Sequence, residues 1–248
     1  MSAQPTNAQP GSLVREPYRC GPARGYRYAD VPPEVERALP GWLASHRVES
    51  GSEIKPRRVY RSDSWLVKFT GPSRAAKDVL RRTSAIRTAD LHARLLPVRT
   101  PAPLLALERR RGLFPQQSLL VTEFVEGPSI RAAFGRDERA TRALGPFLAL
   151  LHRRGVFHGD LHPENAIWDG AEWVLIDLAS LRHPLRRLPR RRLILEQWAQ
   201  FAFRLGADTR LESCFEDYLE AAGLGWGRND TWNDVRGRAE RIRASRES

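Results

Sequence analysis

The stretch from His158 to Asp177 contains the residues whose types and spacing could do chemistry. Asp160 and Asn165 lie five positions apart in a loop that contains Pro163, and Asp177 follows a short apolar run. Carboxylate and amide oxygens are hard ligands of the kind that Mg²⁺ prefers. A carboxylate without a metal could instead accept a proton from a hydroxyl group. Together these groups could orient a nucleophile, hold a metal ion and neutralise phosphate charge, as phosphoryl transfer requires.

The sequence on either side of this loop predicts the elements that must position it. Before the loop, four apolar residues recur at i, i+3, i+4 and i+7, which predicts the buried face of a helix that ends at Gly155. After the loop, the apolar run 174–176 predicts a short strand that leads into Asp177. The four apolar residues of the helix are Leu144, Phe147, Leu148 and Leu151.

The rest of the chain is predicted to be rich in strands before about residue 125 and rich in helices after it. A short helix is expected to open at Pro32-Pro33-Glu34, the remainder of 17–45 has a mixed pattern, and strand signals begin near His46. We therefore expect a disordered tail at 1–16, an N-terminal extension with a β-rich lobe at 17–125, and a helical lobe at 126–248. The other predicted elements are strands at 57–61, 65–69, 104–107 and 118–125, and helices at 73–96, 193–205, 214–224 and 232–244.

The composition favours an anionic partner but does not identify it. The chain has 248 residues, a formal net charge of +12 and only three lysines among its 41 basic residues. A basic surface favours anionic partners of any kind, and the segment 181–192 carries six arginines and no acid. We interpret this segment either as a cradle for an anionic acceptor or membrane surface, or as a solvated basic loop. A nucleic-acid partner is not expected, because aromatic residues do not alternate with the basic ones.

Several other classes are excluded or disfavoured by the same sequence. No apolar run approaches the roughly 18–20 residues that a membrane helix needs. The polar N-terminus has no apolar signal-peptide core. The two cysteines, Cys20 and Cys214, show no metal-ligand spacing and suggest no disulfide framework. We therefore expect a cytoplasmic protein, located at the inner membrane face if its substrate is membrane-bound.

The pattern His158-Gly159-Asp160, then Asn165, then an apolar strand and Asp177 resembles the catalytic loop and metal-binding aspartate of protein-kinase-like phosphotransferases. The resemblance extends over about residues 46–225. It implies an α+β fold with two lobes, a small β-rich N-lobe and a larger, mostly helical C-lobe. It also implies Asp160 as the catalytic base, Asn165 and Asp177 as Mg²⁺ ligands, and His158 as a structural brace.

The same resemblance implies a binding site for ATP. Lys68, in the predicted strand 65–69, would hold the phosphates of ATP and contribute to catalysis. The carbonyl of Glu123 and the amide of Val125 would hydrogen-bond the adenine. Gly51 is the single glycine before the first clear hairpin strand that could serve a loop over the phosphates.

Three features depart from the pattern of the superfamily. The phosphate-covering loop has little glycine besides Gly51, and the triplet that begins at Asp177 is Asp-Leu-Ala rather than Asp-Phe-Gly. Residues 70–100 contain no glutamate to pair with Lys68, and Asp78 and Asp90 are the only acids there. These departures leave open a pseudokinase, which would bind partners without transferring phosphate.

Three further features are the hairpin 58–68, the helix that leads towards Pro101-Ala102-Pro103, and the segment 215–224. By these features the chain is most similar, within the superfamily, to the lipopolysaccharide kinase family, which phosphorylates Kdo or heptose in the lipopolysaccharide core. Gly159 and His162 differ from the arginine and lysine of Ser/Thr protein kinases, and no Ala-Pro-Glu follows Asp177. The resemblance implies transfer of the γ-phosphate to a carbohydrate hydroxyl, on an anionic or lipid-linked sugar. An atypical Ser/Thr protein kinase is the alternative within this class of enzyme.

Overall fold

The computed structural model describes the residues 15–45, 52–55, 59–71, 83–158, 161–178, 181–182 and 191–247. The chain divides into two compact units. The first unit contains Met1–Arg94 and Ala102–Phe124, and the second contains Leu95–Pro101 and Val125–Ser248. The chain therefore leaves the first unit after its second helix and returns to it for its last two strands.

The first unit is built on one sheet in which every pair of neighbouring strands is antiparallel. Its elements are β1 (Glu16–Cys20), β2 (Ala23–Arg27), α1 (Pro33–Ser45), β3 (Ser52–Lys55), β4 (Val59–Arg61), β5 (Trp65–Thr70), α2 (Ser84–Leu95), β6 (Pro103–Arg111) and β7 (Phe114–Glu123). The strand order in the sheet is β1-β2-β6-β7-β5-β4-β3. The last hairpin of this unit along the chain thus lies in the middle of its sheet.

A helix covers each face of this sheet. On one face, Leu39 and Trp42 of α1 pack with Trp65 and Val67 of β5, and the rings of Trp42 and Trp65 lie 5.4 Å apart. On the other face, the small and apolar side of α2 packs against Leu120 of β7. The alternation of buried and half-buried residues along β5 follows from the period of two that a strand imposes.

The predicted strands are found at 59–61, 65–69, 104–107 and 118–123, whereas 57–58 lie outside the described residues and 124–125 are not in a strand. The strand pairs β4–β5 and β6–β7 were both predicted and are confirmed. The hairpin β1–β2 was missed, because it is an edge hairpin in which Ala23 alone is buried, so it shows no apolar alternation. Gly25 of β2 reflects the close pairing of this hairpin with β6, because a Cβ atom at this position would lie 1.9 Å from the carbonyl oxygen of Ala106.

The second unit is mostly helical. Its elements are α3 (Ile130–Ala133), α4 (Glu138–Arg153), β8 (Phe157–His158), β9 (Ala166–Trp168), β10 (Trp173–Leu175), β11 (Leu181–Arg182), α5 (Arg191–Leu205), α6 (Thr209–Ala222) and α7 (Arg228–Glu247). Trp198 of α5 lies at the centre of an aromatic core, with ring centroids 5.1 Å from Phe215 and 5.4 Å from Tyr218 of α6. Helix α4 crosses α6 closely at Gly145, where a Cβ atom would lie 2.3 Å from the carbonyl oxygen of Cys214.

The predicted helices of this unit are confirmed, with two corrections at their starts. The four predicted apolar residues of α4 are all buried, and α5 ends at Leu205, before Gly206 with φ 95°. Helices α6 and α7 begin earlier than the predicted residues 214 and 232, because their first turns are polar. Asp208 caps α6 by accepting a hydrogen bond from the amide of Leu211. The predicted α+β class, strands first and helices afterwards, is confirmed.

Candidate active site

The hairpin of β9 and β10 brings the two predicted metal ligands together. Leu175 pairs with Ala166 in an antiparallel register, and the amide of Ile176 donates to the carbonyl of Asn165 at 2.8 Å. This bond extends the pairing by one residue beyond the strands. Asn165 and Asp177 therefore lie at the same end of the hairpin, although twelve positions separate them in the sequence.

Asp177 has an unusual backbone conformation. Its φ of 55° lies in the left-handed region, and within the described ranges no other non-glycine residue has a positive φ. Aspartate tolerates this region better than most residues, because its short polar side chain can form local hydrogen bonds. The turn after β10 therefore has its strained residue at Asp177 itself. The side chain of Asp177 is exposed, whereas that of Asn165 is buried.

His158 fixes the backbone at Asp177 from the other side. Its side chain is buried, and its Nε2 donates to the carbonyl of Asp177 at 3.1 Å. Strand β8 also pairs with β11, so that His158 lies opposite Leu181, four residues after Asp177. This is the geometry of the structural brace that the superfamily resemblance implies for His158.

A buried chain of polar side chains connects this brace to three helices. His152 of α4 lies between the hydroxyl of Tyr218 in α6, 2.9 Å from Nδ1, and Oε1 of Gln197 in α5, 2.6 Å from Nε2. The amide of Gln197 in turn donates to the carbonyl of His158 at 3.4 Å. A neutral His152 satisfies both contacts, since Tyr218 can donate to Nδ1 and Nε2 can donate to Gln197.

The charge state of His152 follows from its surroundings. Burial disfavours the imidazolium and lowers the pKa of His152 to about 4, although the hydrogen bond to Gln197 acts in the opposite direction. The sequence predicts a structural His152, but it did not single out Gln197 or Tyr218. One sequence feature could have identified Gln197: it is a polar residue directly before Trp198, in a helix that is otherwise apolar on that face.

Glu164 ties the catalytic loop to α3. Nε of Arg131 donates to its Oε1 at 2.5 Å, and Nδ1 of His162 lies 2.8 Å from its Oε2. Burial raises the pKa of Glu164, but the hydrogen bonds from His162 and Arg131 outweigh it, and the pKa lies below its ordinary value. The amide of Arg131 also donates to the carbonyl of Pro163 at 3.3 Å. The part of the loop after Asp160 is therefore held by side-chain and backbone contacts.

Lys68 belongs to the first unit, and its predicted place in a strand is confirmed. It lies in β5, opposite Val59 of β4 and Leu120 of β7. Side chains that lie directly opposite each other in an antiparallel pair point to the same face of the sheet. Because Leu120 packs against α2, Lys68 lies on the α2 face and not on the α1 face. The phosphate-binding role of Lys68 stays a prediction.

Asp90, one of the two acids in the segment where a partner for Lys68 is expected, has other partners. Asp90 of α2 accepts a hydrogen bond from Arg15 at 2.7 Å and one from the hydroxyl of Tyr28 at 3.2 Å. Burial, reinforced by the nearby charge of Asp90, raises the pKa of Tyr28 well above its ordinary value. Asp78, the other acid of this segment, lies outside the described residues.

The adenine-binding residues predicted at the end of β7 are described by their backbone. Glu123 is the last residue of β7, and its amide donates to the carbonyl of Ala102 at 2.9 Å. Val125 is the first residue of the second unit in this part of the chain. The predicted base Asp160 and the predicted loop glycine Gly51 lie outside the described residues, and their roles stay predictions.

The arginine-rich segment 181–192 is described only at its ends. At its C-terminal end, the guanidinium of Arg191 lies 5.3 Å from the ring of Trp226. Arg192 forms an exposed ion pair with Glu196, with Nε 2.8 Å from Oε1. Residues 183–190 lie outside the described ranges, so a cradle formed by this segment stays a prediction.

The donor set at the end of the hairpin fits a magnesium ion. Asn165 and Asp177 offer an amide oxygen and a carboxylate, and Mg²⁺ often takes only one or two protein carboxylates when phosphate oxygens and waters complete its octahedron. Within the described ranges, no group of three or more histidine, cysteine, aspartate or glutamate side chains could hold a metal ion. The phosphates of a bound nucleotide could supply further oxygen ligands.

The antiparallel sheet of the first unit, the helices of the second and the motif from His158 to Asp177 define a protein of the protein-kinase-like class. The model of the family described as "Lipopolysaccharide kinase (Kdo/WaaP) family" matches residues 72–210. This match covers more than half of the chain, and the chain therefore belongs to the lipopolysaccharide kinase (Kdo/WaaP) family. The family predicted from the motifs is thus confirmed.

The chain is also similar to individual proteins. The 3-deoxy-D-manno-octulosonic acid kinase of Xanthomonas axonopodis pv. citri is 31% identical over 179 residues, which cover 69% of this chain and 68% of that protein. A protein of Archaeoglobus fulgidus named "Probable serine/threonine-protein kinase BUD32 homolog" is 28% identical over 98 residues, 37% of this chain and about half, 49%, of that protein. The solved structure "WaaP in complex with acyl carrier protein" is 19% identical, with a TM-score of 0.49 over 87% of this chain and 96% of that one.

Membership of this family has a consequence for the chemistry. The family is one of kinases, as the motif predicted, and a kinase family implies ATP as the phosphate donor.

Within the described part of the chain, no helix is long and apolar enough to cross a membrane.

Proposed function

We propose that the protein transfers the γ-phosphate of ATP to a hydroxyl group of a carbohydrate, such as a sugar of the lipopolysaccharide type. The observation that supports this proposal is the β9–β10 hairpin, in which Asn165 and Asp177 lie at the same end, after the loop that contains Asp160 in the sequence. The relative from Xanthomonas is named as a kinase of 3-deoxy-D-manno-octulosonic acid, which supports a sugar acceptor.

The residues of this chain divide the reaction among them. The carboxylate of Asp160 accepts the proton of the acceptor hydroxyl while the hydroxyl oxygen attacks the γ-phosphorus. The bond between the γ-phosphorus and the β–γ bridging oxygen breaks, and ADP is released. Lys68 contacts the α- and β-phosphates. Asn165 and Asp177 would hold Mg²⁺, which neutralises phosphate charge when bound. His158 holds the backbone of Asp177 in place.

The catalytic role of Asp160 is tested by replacing it with asparagine, which keeps the size of the side chain and removes the base. With 3-deoxy-D-manno-octulosonic acid as the acceptor, we expect Asp160→Asn to lower kcat by about 10²–10⁴-fold, the usual contribution of a general base. ATP affinity should change little. Turnover equal to that of the wild type would reject Asp160 as the base.

The metal site is tested separately by thermal unfolding with ATP, with and without Mg²⁺. A ligand at about 100 times its dissociation constant stabilises a fold by about 2.7 kcal/mol. We expect the Mg²⁺-dependent part of this stabilisation to disappear in Asp177→Asn. The asparagine is a matched control for folding, since it also tolerates the left-handed backbone. If ATP stabilises the wild type neither with nor without Mg²⁺, the pseudokinase alternative is favoured.

We further propose that the enzyme contacts an anionic membrane through the tip of the β6–β7 hairpin. Leu113 and Phe114 at this tip are 59% and 45% exposed, and Arg109 and Arg111 beside them are exposed as well. Exposed apolar residues next to arginines suit the interface of an anionic bilayer. The double variant Leu113→Ser/Phe114→Ser should sediment less with vesicles of anionic lipid, and unchanged sedimentation would reject this contact.

A further inference from the structure

A cavity of about 660 Å³ lies in the second unit, beside the catalytic loop. Helix α5 lines one side of it and the C-terminal half of α7 lines another. Its remaining wall contains His158, Leu161 and His162, the described neighbours of Asp160 on both sides in the sequence. The volume is within the usual range of small-molecule sites, about 300–1,000 Å³.

The charge of this cavity is strongly one-sided. Four arginines and one glutamate line it: Arg204 of α5, Arg238, Arg241 and Arg246 of α7, and Glu196 of α5. Two of these charges are compensated by neighbours on their own helix. Nε of Arg238 lies 2.8 Å from Asp234, and Glu196 pairs with Arg192. The cavity therefore keeps an excess of positive charge.

The remaining arginines have no carboxylate partner among the described residues. Arg246 lies over the ring of Phe203, with its guanidinium carbon 5.0 Å from the centroid. Arg204 and Arg241 form no ion pair with any part of the chain that the structure describes. Nε of Arg204 is also buried without a hydrogen-bond partner there. This nitrogen is shielded from the solvent, so only the rest of the Arg204 side chain can face the cavity.

The excess positive charge of the cavity favours an anionic ligand. Guanidinium groups bind carboxylate and phosphate oxygens through two parallel hydrogen bonds, which gives both affinity and a fixed orientation. The apolar residues Leu161, Leu193 and Ile242, which lie on different sides of the cavity, suit the carbon skeleton of such a ligand.

We infer that Arg204 and Arg241 bind the anionic group, a carboxylate or a phosphate, of the molecule that receives the phosphate. This inference rests on the proposed function, since it assigns the cavity to the acceptor. The assignment follows from position: Leu161 and His162 line the cavity and directly follow Asp160 in the sequence. An acceptor held there by its charged group is thus bound next to the loop that carries the base.

The kinetic test compares Arg204→Gln and Arg241→Gln with Arg243→Gln, an exposed arginine on α7 that does not line the cavity. The acceptors are 3-deoxy-D-manno-octulosonic acid and its methyl ester, which lacks the negative charge. For the acid, each cavity variant should raise the acceptor KM roughly tenfold or more. The KM for ATP should not change, and Arg243→Gln should behave as the wild type.

The ester separates charge recognition from a general disturbance of the site. In the wild type, the KM for the ester should exceed the KM for the acid by about the factor by which the cavity variants raise the KM for the acid. The cavity variants should raise the KM for the ester little further. A rise in KM that is equal for acid and ester would overturn the inference, and so would variants that leave the KM of the acid unchanged. If Arg204→Gln does not fold, Arg241→Gln on the exposed side of the cavity provides the same test.

Calorimetric titration without ATP distinguishes failure of this inference from failure of the proposed function. Binding of the acid to the wild type, and its loss in the double variant, would support the inference even if no phosphate is transferred. In that case the proposed function alone is wrong. Equal binding to the wild type and the double variant, or no binding to either, would overturn the inference whether or not the wild type is active.

Discussion

The two units hold their candidate site residues by different physical means. In the first unit, Lys68 lies in the middle of a strand, and its face is set by the sheet register alone. In the second unit, Asn165 and Asp177 lie at the ends of two three-residue strands. There the backbone of Asp177 is held by His158, which is linked to three helices through buried polar side chains.

The two units differ in the interactions that determine the position of their site residues. A strand in the middle of an antiparallel sheet is placed by hydrophobic alternation and backbone pairing, which are local properties. A short hairpin with a left-handed aspartate needs tertiary support, because its own pairing is small. We therefore expect the site in the second unit to depend on distant core residues more than Lys68 does.

The largest expected effect is on the pH dependence of stability of the second unit. The pKa of His152 is about 4 in the folded state, below the ordinary value of about 6.5. The unfolded chain therefore takes up the proton first as the pH falls. The contribution of a neutral His152, about 3 kcal/mol, is complete above pH 6.5 and is lost as the pH falls towards 4.

Urea unfolding between pH 4.5 and 7.5 measures this contribution. The variant His152→Leu should lose most of the pH dependence in this window, as well as some stability at pH 7. Tyr218→Phe is the matched control, because it removes one hydrogen bond of His152, at a cost of about 1 kcal/mol, and leaves the histidine buried. A pH dependence that is equal in His152→Leu and in the wild type would show that another group is responsible.

The second prediction compares a glycine-to-alanine substitution in one helix of each unit. Gly145→Ala in α4 would place a Cβ atom 2.3 Å from the carbonyl oxygen of Cys214 in α6, so we expect a loss of about 2 kcal/mol. Gly41→Ala in α1 meets nothing within 4 Å, so we expect a gain of up to about 1 kcal/mol from helix propensity. Denaturant unfolding of both variants gives the two signs, and a stabilised Gly145→Ala would contradict the close crossing of α4 and α6.

The smallest expected effect is that of Lys68→Met on ATP binding. If Lys68 donates to the phosphates, its loss should weaken ATP affinity about tenfold, or about 1.5 kcal/mol, the lower range for a charged hydrogen bond. The stability of the protein without ATP should change little, because β5 keeps its register and its buried residues Trp65, Val67 and Phe69. An unchanged ATP affinity, measured by calorimetric titration, would remove Lys68 from the nucleotide site.

The sequence predicted what depends on local pattern. The strand pairs β4–β5 and β6–β7, the buried face of α4 and the strand before Asp177 all follow from apolar periodicity and turn residues. The catalytic-loop motif indicated the protein-kinase-like superfamily for the same reason, since its residues are close together in sequence. Hairpin pairing of β9 with β10 then brings Asn165 and Asp177 together, as the motif spacing implied.

The remaining features depend on contacts between segments that are far apart in the chain. Gln197 lies 45 residues from His152 and 39 from His158, and no local pattern connects them. The excess charge of the cavity depends on which arginines of α5 and α7 face each other, which composition does not reveal. The edge hairpin β1–β2 was missed because exposed strands carry little apolar signal.

The order of strands in the first sheet has a consequence for synthesis. As the chain leaves the ribosome, β1–β2 and β3–β5 are made first, yet they are joined in the sheet only through β6 and β7. Until residue 124 has emerged, the nascent chain carries two separate halves of a sheet with unpaired edges on β2 and β5. Unpaired edges of this kind pair readily with other chains. Any truncation before Phe124 therefore yields two incomplete β-structures that are prone to aggregation, instead of a smaller stable unit.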